Sequence, residues 1–154
     1  MRILIDTNIL YKMYICNNSK IATDIFFLKA NNHLYVDNYC VSELINVIYG
    51  DINTNSSNTT PSYSKKDKLK QISNIYKDEI SIFENLIFSN NFNITFNTKH
   101  TFTKCRDIKD NDVINAALNI GADCIITDDK DLLILDKKIN NISIVPSSQI
   151  QYLY

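Results

Sequence analysis

Long apolar runs are missing from this sequence, as is tryptophan, and histidine, glycine and proline number only two each. The start, MRILIDTN, reaches an acid at Asp6, too soon for a secretory signal or a membrane-spanning helix, and no later apolar run is long enough. Four cysteines, Cys16, Cys40, Cys105 and Cys124, stand far apart with no CxxC or CxxH pair. That spacing excludes a short-spaced zinc site and a cysteine-dense secreted scaffold; it reads as reduced thiols inside a cytoplasmic protein. His33 and His100 have no spacing suited to a metal pair or a catalytic triad. An excess of one charge sign is missing too, since sixteen Lys+Arg against seventeen Asp+Glu give a net charge of −1. A polycation that binds by bulk charge is thereby excluded, whereas a nucleic-acid enzyme whose basic groove is offset by an acidic site is not.

Isoleucine (25) and asparagine (21) are abundant instead. The skew fits an A+T-rich coding background, so asparagine-rich stretches receive no automatic functional reading. With 154 residues, 45% hydrophobic and 21% charged, the chain reads as one globular domain over 1–154.

Short aliphatic runs at residues 2–5, 33–36, 92–96, 123–127 and 142–145 predict strands. They lack period-2 alternation, which is the habit of parallel strands buried on both faces. Between them, 42–49, 69–87 and 111–120 carry apolar residues at helical spacing, the last stopped by Gly121. Alternating strands and helices imply a three-layer α/β/α sandwich around a mainly parallel sheet. The stretch 51–68 is polar, nearly free of aliphatics and contains a proline, and it reads as a flexible loop between helices.

Acids fall where these elements meet. Asp6 closes the first strand, Asp129 follows the 123–127 run, Glu43 sits in the first turn of its helix, and Asp110 immediately precedes 111–120. In a parallel sheet, ligands bind at the carboxyl ends of the strands, so four acids from four distant segments can share one pocket. Clustered carboxylates need a partner charge, and oxygen ligands without His or Cys select Mg²⁺ or Mn²⁺. Each acid also has a plain structural explanation, because Asp caps helices and acids favour first turns. On charge alone, Asp6→Asn is expected to hold or slightly raise stability in the absence of metal.

The motifs carry a resemblance nearly end to end. ILIDTNIL at 3–10, VSELINV at 41–47 and CRDIKDNDVINAALNIGADCIITDDKDLLIL at 105–135 resemble, in order and spacing, the acid-bearing motifs of PIN-domain ribonucleases. The last block is the most specific, and the likeness is strongest to the VapC-like group, the toxin components of toxin–antitoxin pairs. The resemblance implies a PIN-like fold and places Asp6, Glu43, Asp110 and Asp129 on the family's four acidic positions, with Asp131 as a further acid. Asn8 and Thr127 match small polar residues that orient the acids, and strand register favours Asp129 over Asp128 as the inward neighbour. It further implies an RNA substrate cut by Mg²⁺- or Mn²⁺-dependent hydrolysis, an antitoxin protein as partner, and a homodimer. Lys65, Lys66, Lys68, Lys99, Lys104 and Arg106 are the basic residues placed to hold RNA, or else solvated loop charges.

Two rival readings share the fold, and a third shares only the α/β class. A PIN nuclease of RNA maturation or decay would use the same chemistry, and a catalytically silent PIN module would bind without cutting. A phosphoacceptor receiver domain needs adjacent acids at the first strand, where this chain has a lone Asp6 before Thr7-Asn8.

Overall fold

The aliphatic runs become five short strands, every neighbouring pair of which is parallel. They are β1 (Arg2–Ile5), β2 (His33–Asp37), β3 (Asn93–Thr95), β4 (Cys124–Ile126) and β5 (Ser143–Val145), in the spatial order β3-β2-β1-β4-β5. The computed structural model describes residues 1–14, 16–38, 40, 92–96 and 101–154, which belong to one compact unit. Glu43, Lys65, Lys66, Lys68, Lys99, His100, the helices expected over 42–49 and 69–87, and the polar stretch 51–68 lie outside the described residues.

Helices α1 (Thr7–Tyr14) and α2 (Ser19–Lys29) connect β1 to β2, while α3 (Ile108–Ile120) leads from β3 across to β4. The first connection steps one way along the sheet and the second steps back across it. Right-handed crossovers therefore put α1 and α2 on one face and α3 on the other, giving three layers. Register agrees: Leu4, Ile125 and Ile144 are cross-strand neighbours and pack together against Val113, Ile114, Ala116 and Ala117 of α3. Their strand neighbours Ile3, Ile5 and Ile126 are just as fully buried and point to the opposite face. A sheet covered on both sides explains why the strand sequences are aliphatic without alternation.

Local chemistry sets where α3 begins and ends. It starts three residues before the expected 111–120, because the Asp107 side chain caps it by accepting from the Lys109 backbone N–H. Asp110 thus lies in the first turn rather than at the cap. Gly121 ends the helix in the left-handed conformation (φ 59°). A Cβ at this position would stand 3.3 Å from the Arg2 guanidinium. That guanidinium needs the space, because it donates to the Ile120 carbonyl at 2.7 Å and satisfies an end-of-helix acceptor. A short helix α4 (Lys130–Leu133) and a 3₁₀ turn (Ser147–Tyr152) complete the described chain. No described helix is long and apolar enough to cross a membrane.

Candidate active site

The strand order reverses at β1, which pairs with β2 on one side and β4 on the other. Chains leave β1 and β4 toward opposite faces, and the crevice this opens at their carboxyl ends is where parallel sheets bind ligands. Asp6 and Thr127 stand there, each directly after its strand.

Asp6 is buried (5% exposed) and held from three sides. Its Oδ1 accepts from the Thr7 backbone N–H at 2.7 Å, and its Oδ2 accepts from Asn8 Nδ2 and Thr127 Oγ1, both at 2.6 Å. Thr127 Oγ1 in turn accepts from the Asp129 backbone N–H at 3.0 Å, and Asn8 Oδ1 accepts from the Asp128 N–H at 3.0 Å. These bonds tie the end of β1 to the start of α4.

The DDKD cluster separates by direction. Asp128 accepts from Lys12 Nζ at 2.6 Å and from the backbone N–H and hydroxyl of Ser147. These bonds hold its carboxyl below the usual carboxylate range, against the opposing effect of burial. Asp129 caps α4, its Oδ1 accepting from the Asp131 N–H at 2.7 Å. One oxygen each from Asp110, Asp129 and Asp131 lie within 4.8 Å of one another. They line an open cleft of about 380 Å³ together with Arg106, Asp107 and Ile108.

Among the described residues, four carboxylates and one guanidinium line that cleft. Burial first, and then repulsion from Asp129, Asp107 and Asp131, push the Asp110 carboxyl up to about 6; Arg106 only partly opposes this. A divalent cation is the group that relieves such a cluster. The donors present are hard oxygens, and the thiol of nearby Cys105, raised by burial and by the same acids, stays protonated and is a poor ligand. The donor set fits Mg²⁺ or Mn²⁺.

Of the acids expected at the site, Asp110, Asp129 and Asp131 come together. Asp6 lies outside this trio and connects to it through the Thr127 hydroxyl, and Glu43 is not among the described residues. Lys104 and Arg106 border the site, both lining a second cleft of about 290 Å³ with Asp110 and Asp131. Arg106 Nη2 donates to Asp131 Oδ2 at 2.7 Å.

Three residues escaped the sequence reading. Asn115, 1% exposed, accepts from the Thr101 and Phe102 N–H groups and donates to the Phe102 carbonyl. Asn111 accepts from the Cys105 N–H. Spaced four apart on one helix face, the two asparagines pin the segment that carries Lys104 and Arg106. The only sequence signal was asparagine in a buried helix stripe, masked by the overall excess of asparagine. Asp37, fully buried at the end of β2, is the third.

An all-parallel sheet with an acid-lined crevice at its switch point defines the class to which this chain belongs. The PIN domain model matches residues 2–131, and the chain belongs to that family, a nuclease family. Among solved structures, it is similar to VapBC2 from Rickettsia felis bound to a DNA fragment from their promoter. That likeness covers 95% of this chain and 98% of the other at 19% identity with a TM-score of 0.59, and shows the shared fold. No curated protein matches the sequence significantly.

Proposed function

We propose that this single PIN-like domain is a metal-dependent endoribonuclease, the toxin of a toxin–antitoxin pair. The observation that carries the chemistry is the trio Asp110, Asp129 and Asp131, with one oxygen of each within 4.8 Å of the others, an all-carboxylate group among the described residues. Those three, with Asp6 and Glu43 as further ligands, would hold Mg²⁺ or Mn²⁺. When bound, the ion supplies Lewis-acid polarisation of a phosphodiester oxygen and lets water react near neutral pH.

The chain's own residues position the reaction. The hydrogen bond from the Asp131 N–H holds the Asp129 carboxylate beside Asp110 and Asp131. Asp6, locked by Thr7, Asn8 and Thr127, fixes the loop that delivers Asp129. Lys104, Arg106 and Lys99 are the cations for the RNA backbone. Water oxygen attacks phosphorus, the bond from phosphorus to the 3′ oxygen breaks, and the water proton ends on that oxygen. The products carry 5′-phosphate and 3′-hydroxyl ends.

The toxin assignment is supported by the motif order in 105–135 and by the likeness to a toxin–antitoxin complex. It brings with it an antitoxin protein, a homodimer and a cytoplasmic setting. Purified protein should cut single-stranded RNA with Mg²⁺ or Mn²⁺ and stop with EDTA. Cleavage undiminished by chelation would overturn the mechanism. Co-purification of a small protein encoded next door would establish the pair.

A further inference from the structure

We propose that Arg106 is an exchangeable counter-charge: it sits on Asp131 while the acidic trio lacks a cation, and turns to an RNA phosphate once a divalent ion enters. The inference rests on the metal-nuclease reading and adds to it a coupling between metal and substrate.

Geometry supplies both halves of the exchange. Arg106 Nη2 lies 2.7 Å from Asp131 Oδ2, so the guanidinium neutralises one of the trio's three acids. The pair is open to solvent, with side-chain exposures of 88% for Arg106 and 44% for Asp131. Exposed pairs of this kind are weakly held and exchange readily. A divalent ion held by Asp131 would sit within a few ångströms of the guanidinium, and their repulsion displaces the single charge, not the double one.

The displaced head has somewhere to go. Arg106 lines the acidic cleft and also its neighbour; Asp110 and Asp131 border both, while in the second Lys104, Cys105, Ile134 and Leu135 replace Asp107, Ile108 and Asp129 on the wall. There it joins a second cation beside an apolar surface. A guanidinium fork matches phosphate bidentately, which an ammonium cannot do. Meanwhile its root stays fixed, because Asn111 and Asn115 hold the backbone of residues 101–105 just upstream. A fixed root and a free head let the charge travel between clefts without moving the loop.

Calorimetric titration of Mn²⁺ into the full chain without RNA reads the first half. Arg106→Ala should bind Mn²⁺ more tightly by roughly two- to five-fold, the worth of an exposed pair. Arg106→Lys, which keeps the charge, should stay near wild type. The second half is read with uridine 5′-monophosphate, which has a phosphate but no internucleotide phosphodiester to cut. Wild type should bind it more tightly in Mg²⁺ than in EDTA, and both Arg106→Ala and Arg106→Lys should lose most of that gain. Unchanged or weaker Mn²⁺ binding by Arg106→Ala would make Arg106 a fixed support for Asp131 and overturn the exchange, even where RNA is still cut. No Mn²⁺ binding by wild type would overturn the nuclease reading and the exchange together.

Discussion

The Asp6 carboxylate accepts hydrogen bonds of 2.6–2.7 Å from Thr7, Asn8 and Thr127, residues fixed by α1 or by the end of β4. Replacing it by Asn puts an amide N–H₂ against either the Thr7 N–H or the Asn8 amide. The expectation from charge alone, that Asp6→Asn keeps or gains stability, is therefore reversed. Asp6→Asn should lose about 1–3 kcal/mol in denaturant unfolding, the cost of a buried donor facing a donor. Asp110 responds in the opposite sense. Its carboxyl stands at about 6 against an ordinary 3.8, so the folded protein keeps this proton longer than the unfolded chain. Between pH 4 and 6 the native state binds more protons, and metal-free stability falls as pH rises; above that the penalty is constant. Asp110→Asn should remove this slope and raise metal-free stability near pH 7, on the order of 1–2 kcal/mol after solvent screening at the open cleft. It should also bind Mn²⁺ weakly and lose RNA cleavage by orders of magnitude. An active Asp110→Asn protein with wild-type Mn²⁺ affinity would return Asp110 to a structural role.

Helix α3 carries two separate jobs on neighbouring residues of its first turns. Asp107 caps the helix, whereas Asp110 belongs to the trio. Asp107→Ala should cost about 0.5–2 kcal/mol of stability, and Asp107→Ser, which restores a cap, should recover most of it. Thermal melts of the two variants, with Mn²⁺ titration as the control, separate capping from ligation. One face further along, Asn115 satisfies three backbone groups of Thr101 and Phe102. Asn115→Leu should destabilise by about 1–3 kcal/mol, because those part-buried backbone groups lose their partner. A variant as stable as wild type would show that the segment has another anchor.

At the scale of the whole molecule, the site lies at the strand ends flanking the point where the sheet order reverses, so holding a cation there clamps β4, α3 and α4 together. Mn²⁺ that binds only the folded chain should raise Tm, by about 2.7 kcal/mol of added stability at a hundred times Kd. EDTA should abolish the increase, and Asp110→Asn should show little of it. A Tm indifferent to Mn²⁺ would argue against a preformed ligand set.

Much of this was legible in one dimension. Aliphatic runs without alternation specified parallel, doubly covered strands, because each such residue must be buried whichever face it meets. Acids directly after those runs had to emerge at the strand ends. Tertiary structure alone decided what distance separates them. Asp128 and Asp129 are adjacent in sequence, yet one turns to Lys12 and Ser147 and the other to Asp110, because partners from distant segments select the rotamer. In the same way Asp107, not a residue at the start of the apolar stripe, became the cap of α3, because a cap is set by which carboxylate reaches a free N–H. The pairing of Arg106 with Asp131 spans twenty-five positions and follows from where the starts of α3 and α4 meet, which no local pattern encodes. Local sequence settles burial and element type through side-chain chemistry, whereas contacts among charges depend on where the folded elements meet.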